Sequence, residues 1–305
     1  MLKKAIQAVG SKIPRKSATP KAQTYLCNYS VQIKNVSETD KKLEIYIPVA
    51  SDFSGQKLIA PAQFRPEPAK VYPQLKGAGY AHYRIDLKSH HSITLNQYFT
   101  AAVQRPQEEQ ATPEIEKAVK NEKIQKIAAD LEKTNPTEQE FLKAANAHVK
   151  DFLQFDKELR DYCSAKAALE NEKTNASGFA NVLIEILKQK NIACYPVTGF
   201  ILRPDQEVLE NQHVWVEALI EGKIITLDPL TEKLEKANSL LKRFASPSER
   251  RRIILTKGAG HTLKVDGKAV KIDLFNEPIV LDKAGDQSNL KIRTEFINKR
   301  DTRRP

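Results

Sequence analysis

His213 and Asp228 are the two side chains in this 305-residue sequence whose types and spacing most suggest chemistry. They flank a predicted hairpin, HVWVEAL and KIITL, joined at Glu221-Gly222, a two-residue turn signal. That turn sets a register in which both lie on one face, one diagonal step apart. Diagonal neighbours are about 7–8 Å apart at the backbone, within side-chain reach. A slip of one residue would send them to opposite faces. In register, the carboxylate holds the imidazole in one tautomer, the orienting half of a nucleophile, base and carboxylate triad. The natural seat for the nucleophile is a helix N-terminus, where unpaired N–H groups and the macrodipole favour a thiolate. The clearest helix in the chain, ASGFANVLIEILKQK, begins there with Ala176, which cannot attack anything.

The neighbouring candidates are weaker. Ser177 is turned about 100° around the helix axis from position 176 and is a poor substitute. Cys163 and Cys194 read as packed thiols, since a free cysteine is usually a small buried hydrophobe. Together with Cys27 they are odd in number and lack metal-type spacing, so neither a disulfide framework nor a Cys-based zinc site is expected. His90-His91 is an adjacent pair in a predicted strand, with side chains on opposite faces, and makes no metal site. KGAGH (257–261) lacks the Lys-Ser/Thr end of a phosphate loop and reads as a glycine turn. Arg250, Arg251 and Arg252 read as a solvated edge, with a partner-binding patch as the other reading. No cofactor and no metal are expected.

The elements that must position these residues follow from periodicity. From Thr24 to Gln104 the pattern is β: VQIKN, KKLEIYIPV, AHYRIDL and SITLNQYFTAAV are separated by Gly, Pro and Ser turns, as in a small antiparallel sandwich. RPQEEQATPE is a polar linker. Ile115, Val119, Ile124, Ile127 and Leu131 then mark an amphipathic helix that Asn135-Pro136 breaks. Thr137 and Glu140 form a capping box for the next helix, with Phe141, Leu142, Ala145, Val149, Phe152 and Leu153 on its apolar stripe. In the helix opened by Ala176, Asn175 is the N-cap, and Phe179, Val182, Leu183, Ile186 and Leu187 form the buried face. ACYPVTGFIL, the hairpin, a helix over 232–244, and short closing strands (RIILT, TLKVDG, AVKIDL, PIVL, KIRTEF) complete the chain.

Taken together, ASGFANVLIEILKQKNIACYPVTGF and NQHVWVEALIEGKIITLDP resemble the transglutaminase-like superfamily, a papain-like fold with a Cys-His-Asp triad. Phe179-Ala180, Asn191-Ile192, Val197-Thr198-Gly199-Phe200, His213-Val214-Trp215-Val216-Glu217 and Asp228-Pro229 fall where that family's pattern has its counterparts. The resemblance covers roughly residues 140–232. It implies an α+β fold: a helical lobe packed on an antiparallel sheet, preceded by an N-terminal β-sandwich. It also implies roles: Ala176 at the nucleophile position, His213 as general base and acid, and Asp228 as its orienting carboxylate. Thr174 stands where the family has a glycine. The implied division is a basic tail (1–22), a β-sandwich-like domain (23–104), a linker (105–114), a transglutaminase-like domain (115–245), and a small C-terminal β element with a basic tail (246–305).

Net charge is +11, and the excess sits at the ends. Residues 1–37 carry seven Lys/Arg and no acid, and residues 290–305 carry six against Glu295 and Asp301. Solvated tails are the plain reading, with loose contact to RNA or anionic lipid as the sharper one. Phosphate-driven binding would weaken steeply between about 50 and 200 mM salt. No run of apolar residues is long enough to span a membrane as a helix. A cytoplasmic location is expected, or an organelle if the acid-free N-terminus is a presequence. Two functional readings follow. One is a catalytically degenerate domain that binds a peptide or protein through a glutamine- or amide-bearing side chain in the cleft. The other is a Cys-dependent amidase, protease or transglutaminase whose catalytic Cys at 176 has been replaced.

Overall fold

The computed structural model describes residues 22–75, 77–104, 118–159, 162–202, 208–210, 212–237, 251–265, 268–283 and 289–302. The first part of the chain supplies β1 (Gln23–Asn35), β2 (Lys41–Val49), β3 (Gln56–Arg65), β4 (Lys70–Leu75), β5 (Ala78–Leu87) and β6 (Ser92–Val103). Helices follow: α1 (Glu122–Thr134), α2 (Glu138–Phe152), α3 (Ala165–Asn171) and α4 (Ala176–Gln189). A short parallel pair, β7 (Gln154–Phe155) and β8 (Lys173–Thr174), ties the loops among them. Next come β9 (Cys194–Ile201), β10 (His213–Ile220), β11 (Lys223–Leu227) and α5 (Pro229–Ala237). The last strands are β12 (Arg252–Lys257), β13 (His261–Val265), β14 (Lys268–Ile272), β15 (Ile279–Asp282) and β16 (Leu290–Arg300).

Two large antiparallel sheets organise the molecule. One runs β16-β1-β6-β3; the other runs β11-β10-β9-β12-β5-β2-β15, with β4 added on β5. The helices cover the β9–β11 end of the larger sheet, and the smaller sheet covers the β2–β5 end. A sandwich core therefore joins Tyr29, Ile45 and Tyr83 to Phe200 and Ile253. A second core joins Phe141, Leu183 and Ile186 to Val214, Val216 and Leu227. This is the expected papain-like arrangement of helical lobe on antiparallel sheet behind a β-sandwich.

Three expectations need correction. Of the closing strands only β13 and β14 form a separate small element, a two-stranded sheet of their own; β16 pairs with β1, β15 with β2, and β12 lies between β9 and β5. Strand pairing is non-local, so a run of short strands at one end of a chain does not say which sheet receives them. The first helix begins at Glu122, capped by Asn121; Val119 is exposed, and its N–H donates to Glu185. The helix expected over 232–244 begins at Pro229, because Asp228 supplies its cap, and its later part lies outside the described residues. So do Ile115, the whole linker (105–114) and nearly all of the N-terminal tail. Strands β3 and β4 escaped detection because Pro61 and Pro73 and irregular registers interrupt their alternation.

Candidate functional site

The N-terminus of α4 is built from side chain–backbone bonds. Asn175 Oδ1 accepts from the Ser177 N–H at 3.1 Å and the Gly178 N–H at 3.4 Å, replacing partners that the first turn lacks. Ser177 Oγ donates to that same oxygen at 2.7 Å and accepts from the Cys163 N–H at 2.9 Å. Its hydroxyl is buried and bonded both as donor and as acceptor, which makes it part of the cap. Ala176 opens the helix, half-buried against the core that joins α4 to β10 and β11. Thr174 is buried beside it, and a Cβ added to Gly178 would lie 1.8 Å from Thr174 Oγ1. The Thr174 side chain thus fills the space that any larger residue at 178 would need.

The hairpin of β10 and β11 has the expected register. Val216 faces Leu227, and Ile220 faces Lys223 across a turn with φ 51° at Glu221 and 75° at Gly222. His213 Nε2 lies 2.9 and 3.0 Å from the two Asp228 carboxylate oxygens. A nitrogen facing an ionised carboxylate carries the hydrogen, so in the neutral ring Nδ1 is the basic nitrogen. Thr231 Oγ1 stands 3.2 Å from the same Nε2, and the His213 ring stacks on the buried Trp215.

Asp228 is buried and serves three partners. Besides His213, it accepts from the Thr231 N–H at 3.0 Å, as the cap of α5, and from Arg252 at 3.2 Å. Burial alone would raise its pKa. The His213 charge and hydrogen bond, the Arg252 guanidinium and the Thr231 N–H outweigh that and hold the carboxyl well below the usual range. The guanidinium also lies over the Trp215 ring, 5.3 Å from its centroid.

Arg252 corrects the reading of the arginine run as a solvated edge. It is 7% exposed and forms a buried ion pair with Asp228. The apolar run Ile253-Ile254-Leu255 that follows it, the mark of a strand buried on both faces, was the available signal, but three consecutive arginines read as surface. Arg250 lies outside the described residues. Thr231 was also missed; only the cap at Asp228 brings it to the imidazole.

The remaining candidates are not drawn into this group. Cys163 and Cys194 form no disulfide and are half-buried and packed against the helical core; Cys27 is buried in the sandwich, which pushes its thiol pKa up. His90 and His91 lie in the turn after β5, with φ 58° at His90, and bond separately to Glu38 and the Ser89 carbonyl. A cavity of about 1520 Å³ opens elsewhere, and Ala176, His213 and Asp228 do not line it.

A family model and one solved structure agree with this architecture. The family model of the transglutaminase-like superfamily matches residues 125–229. A candidate cysteine protease from Cytophaga hutchinsonii has a similar structure, with TM-score 0.57 and 12% identity over 93% of each chain. The periplasmic domain of TgpA from Pseudomonas aeruginosa is similar over 75% of this chain and 94% of that one, at 12% identity and TM-score 0.38. No curated protein matches the sequence significantly. Among the described residues, no helix is long and apolar enough to cross a membrane.

Proposed function

Residues 125–229 being a transglutaminase-like domain, we propose that this chain is a catalytically degenerate member that binds a peptide or protein. Position 176 is the family's nucleophile position, and it holds alanine. Loss of a triad nucleophile costs about a million-fold in turnover in the best-studied case. The observation that carries the reading is the first turn of α4, where no other group replaces the thiolate: Ser177 Oγ is consumed by Asn175 and the Cys163 N–H. Thr174, packed into the space beside Gly178, supports a site reshaped around the loss. The ligand class follows the fold's chemistry: an extended peptide, or a glutamine or other amide-bearing side chain, beside Ala176 and His213.

The intact His213–Asp228 pair favours a second reading, a Cys-dependent amidase, protease or transglutaminase whose cysteine at 176 has been replaced. There a thiolate at 176 would add to an amide carbonyl. His213 would give its proton to the leaving amine, and Asp228 would hold the ring.

Thiol reactivity of Ala176→Cys separates the two. Alkylation by iodoacetamide is followed by mass spectrometry at residue 176 from about pH 5 to about pH 9, with His213→Ala as control. The degenerate reading expects a thiol that reacts like a free or buried one, with no dependence on His213. A thiol that reacts well below a pKa of about 8.5, and loses that advantage in the His213→Ala background, would hand the site to the enzyme reading.

A further inference from the structure

The 1520 Å³ cavity lies where the sandwich, the helical lobe and the β13–β14 hairpin meet, and the proposed function leaves it without a role. It exceeds the roughly 300–1,000 Å³ of sites for single small ligands. Among the described residues, six lysines and three acids line it. Most of these charges are already matched: Lys57 pairs with Asp52, Lys188 with Glu185, and the buried Lys257 with Glu217 at 2.7 Å. The two largely buried pairs, Lys188–Glu185 and Lys257–Glu217, are part of the packed wall, whereas Lys57–Asp52 is exposed. Lys120 and Lys271 are exposed on the lining and sit in no ion pair among the described residues, with Asp273 the one acid left to offset them. An open, walled concavity with uncompensated positive charge concentrates anions.

The geometry points to an acidic peptide segment as the occupant, held by its carboxylates on Lys120 and Lys271. Nucleic acid fits less well, because stacking of bases needs open aromatic faces. Lys257 Nζ already lies over the Phe53 and Tyr195 rings, 5.9 and 5.4 Å from their centroids, and among the described aromatic residues of this lining only Tyr162 is largely exposed. KGAGH enters here too: the turn that carries no phosphate-loop chemistry supplies the wall, with Gly258 N–H bonded to the Pro196 carbonyl and Gly260 N–H to that of Asp273. This site is independent of the cleft at His213.

The test is fluorescence anisotropy of a labelled hexaglutamate peptide with the full chain, and hexaserine, which carries no side-chain amide, as the neutral probe. Saturable, salt-sensitive binding of hexaglutamate alone is expected. The double variant Lys120→Glu/Lys271→Glu should weaken it by about tenfold or more, by reversing two contacts of the exposed ion-pair class. Lys126→Glu/Lys143→Glu, on α1 and α2 away from the lining, and His213→Ala should leave it unchanged. Lys120→Gln/Lys271→Gln should fall between, and unchanged thermal midpoints show that the variants fold. Equal loss in the remote pair would assign the binding to overall charge or to the basic termini. That result, absence of saturable binding, or preference for an oligothymidylate over hexaglutamate would each overturn the proposal.

Discussion

Asp228 concentrates the energetics of the site in one side chain. It orients His213, caps α5 and neutralises buried Arg252, so its removal takes away the buried negative charge that faces both cations. Asp228→Asn should cost about 3 kcal/mol, the lower end of what breaking a buried pair costs. Urea denaturation at neutral pH measures it. The pH dependence has a definite sign. The folded carboxyl has a lower pKa than an unfolded aspartate, so its stabilisation is fully present above about pH 4 and fades as pH falls below that value. The gap between wild type and Asp228→Asn should therefore narrow steadily in that acid range. A gap that stays constant there would mean that the negative charge does not hold the site together.

The β10–β11 hairpin shows how an element delivers the site. Its two-residue turn needs positive φ at both positions, and the chain supplies glycine at only one of them. Glu221 sits at φ 51°, where an L side chain with a Cβ is strained by about 1–2 kcal/mol, while asparagine is tolerated better. Glu221→Asn should thus stabilise the protein by about 0.5 kcal/mol or more without moving the register. A higher midpoint in thermal melts, with the Ala176→Cys reactivity profile unchanged, is the expected result. A lower midpoint would show that Glu221 contributes more than its strain removes. The same logic explains α4: its start depends on Asn175, and its buried face brings Ala176 into the core it shares with Val214 and Leu227.

The whole molecule is expected to unfold as one cooperative body on this architecture. Gln56 exchanges two hydrogen bonds with Ile254, Gln212 donates to Tyr29 at 2.8 Å, and Phe200 stacks on Phe296. Each joins the sandwich to strands of the helical lobe or to β12. Unfolding either part would expose apolar surface of the other, so no stable half remains. Chemical unfolding followed by fluorescence of Trp215, the single tryptophan, should coincide with unfolding followed by circular dichroism. Separate midpoints would show that the two lobes fold independently.

Local information in the sequence determined much of this protein. The capping box at Thr137 and Glu140, the stripe of α4 with its cap, and the turn at Glu221-Gly222 were all legible, because each depends on residues within a few positions. The turn even set the register that brings His213 to Asp228. What the tertiary structure decided is whatever depends on distant pairing. Only the fold places β16 beside β1 and inserts β12 between β9 and β5. Only the fold turns Arg252 from an apparent surface charge into the buried partner of Asp228, and gathers Lys120 and Lys271 on one cavity. Strand partners and ion pairs far apart in the chain leave no periodic trace, because the free energy that selects them is the burial of surfaces that meet only after folding.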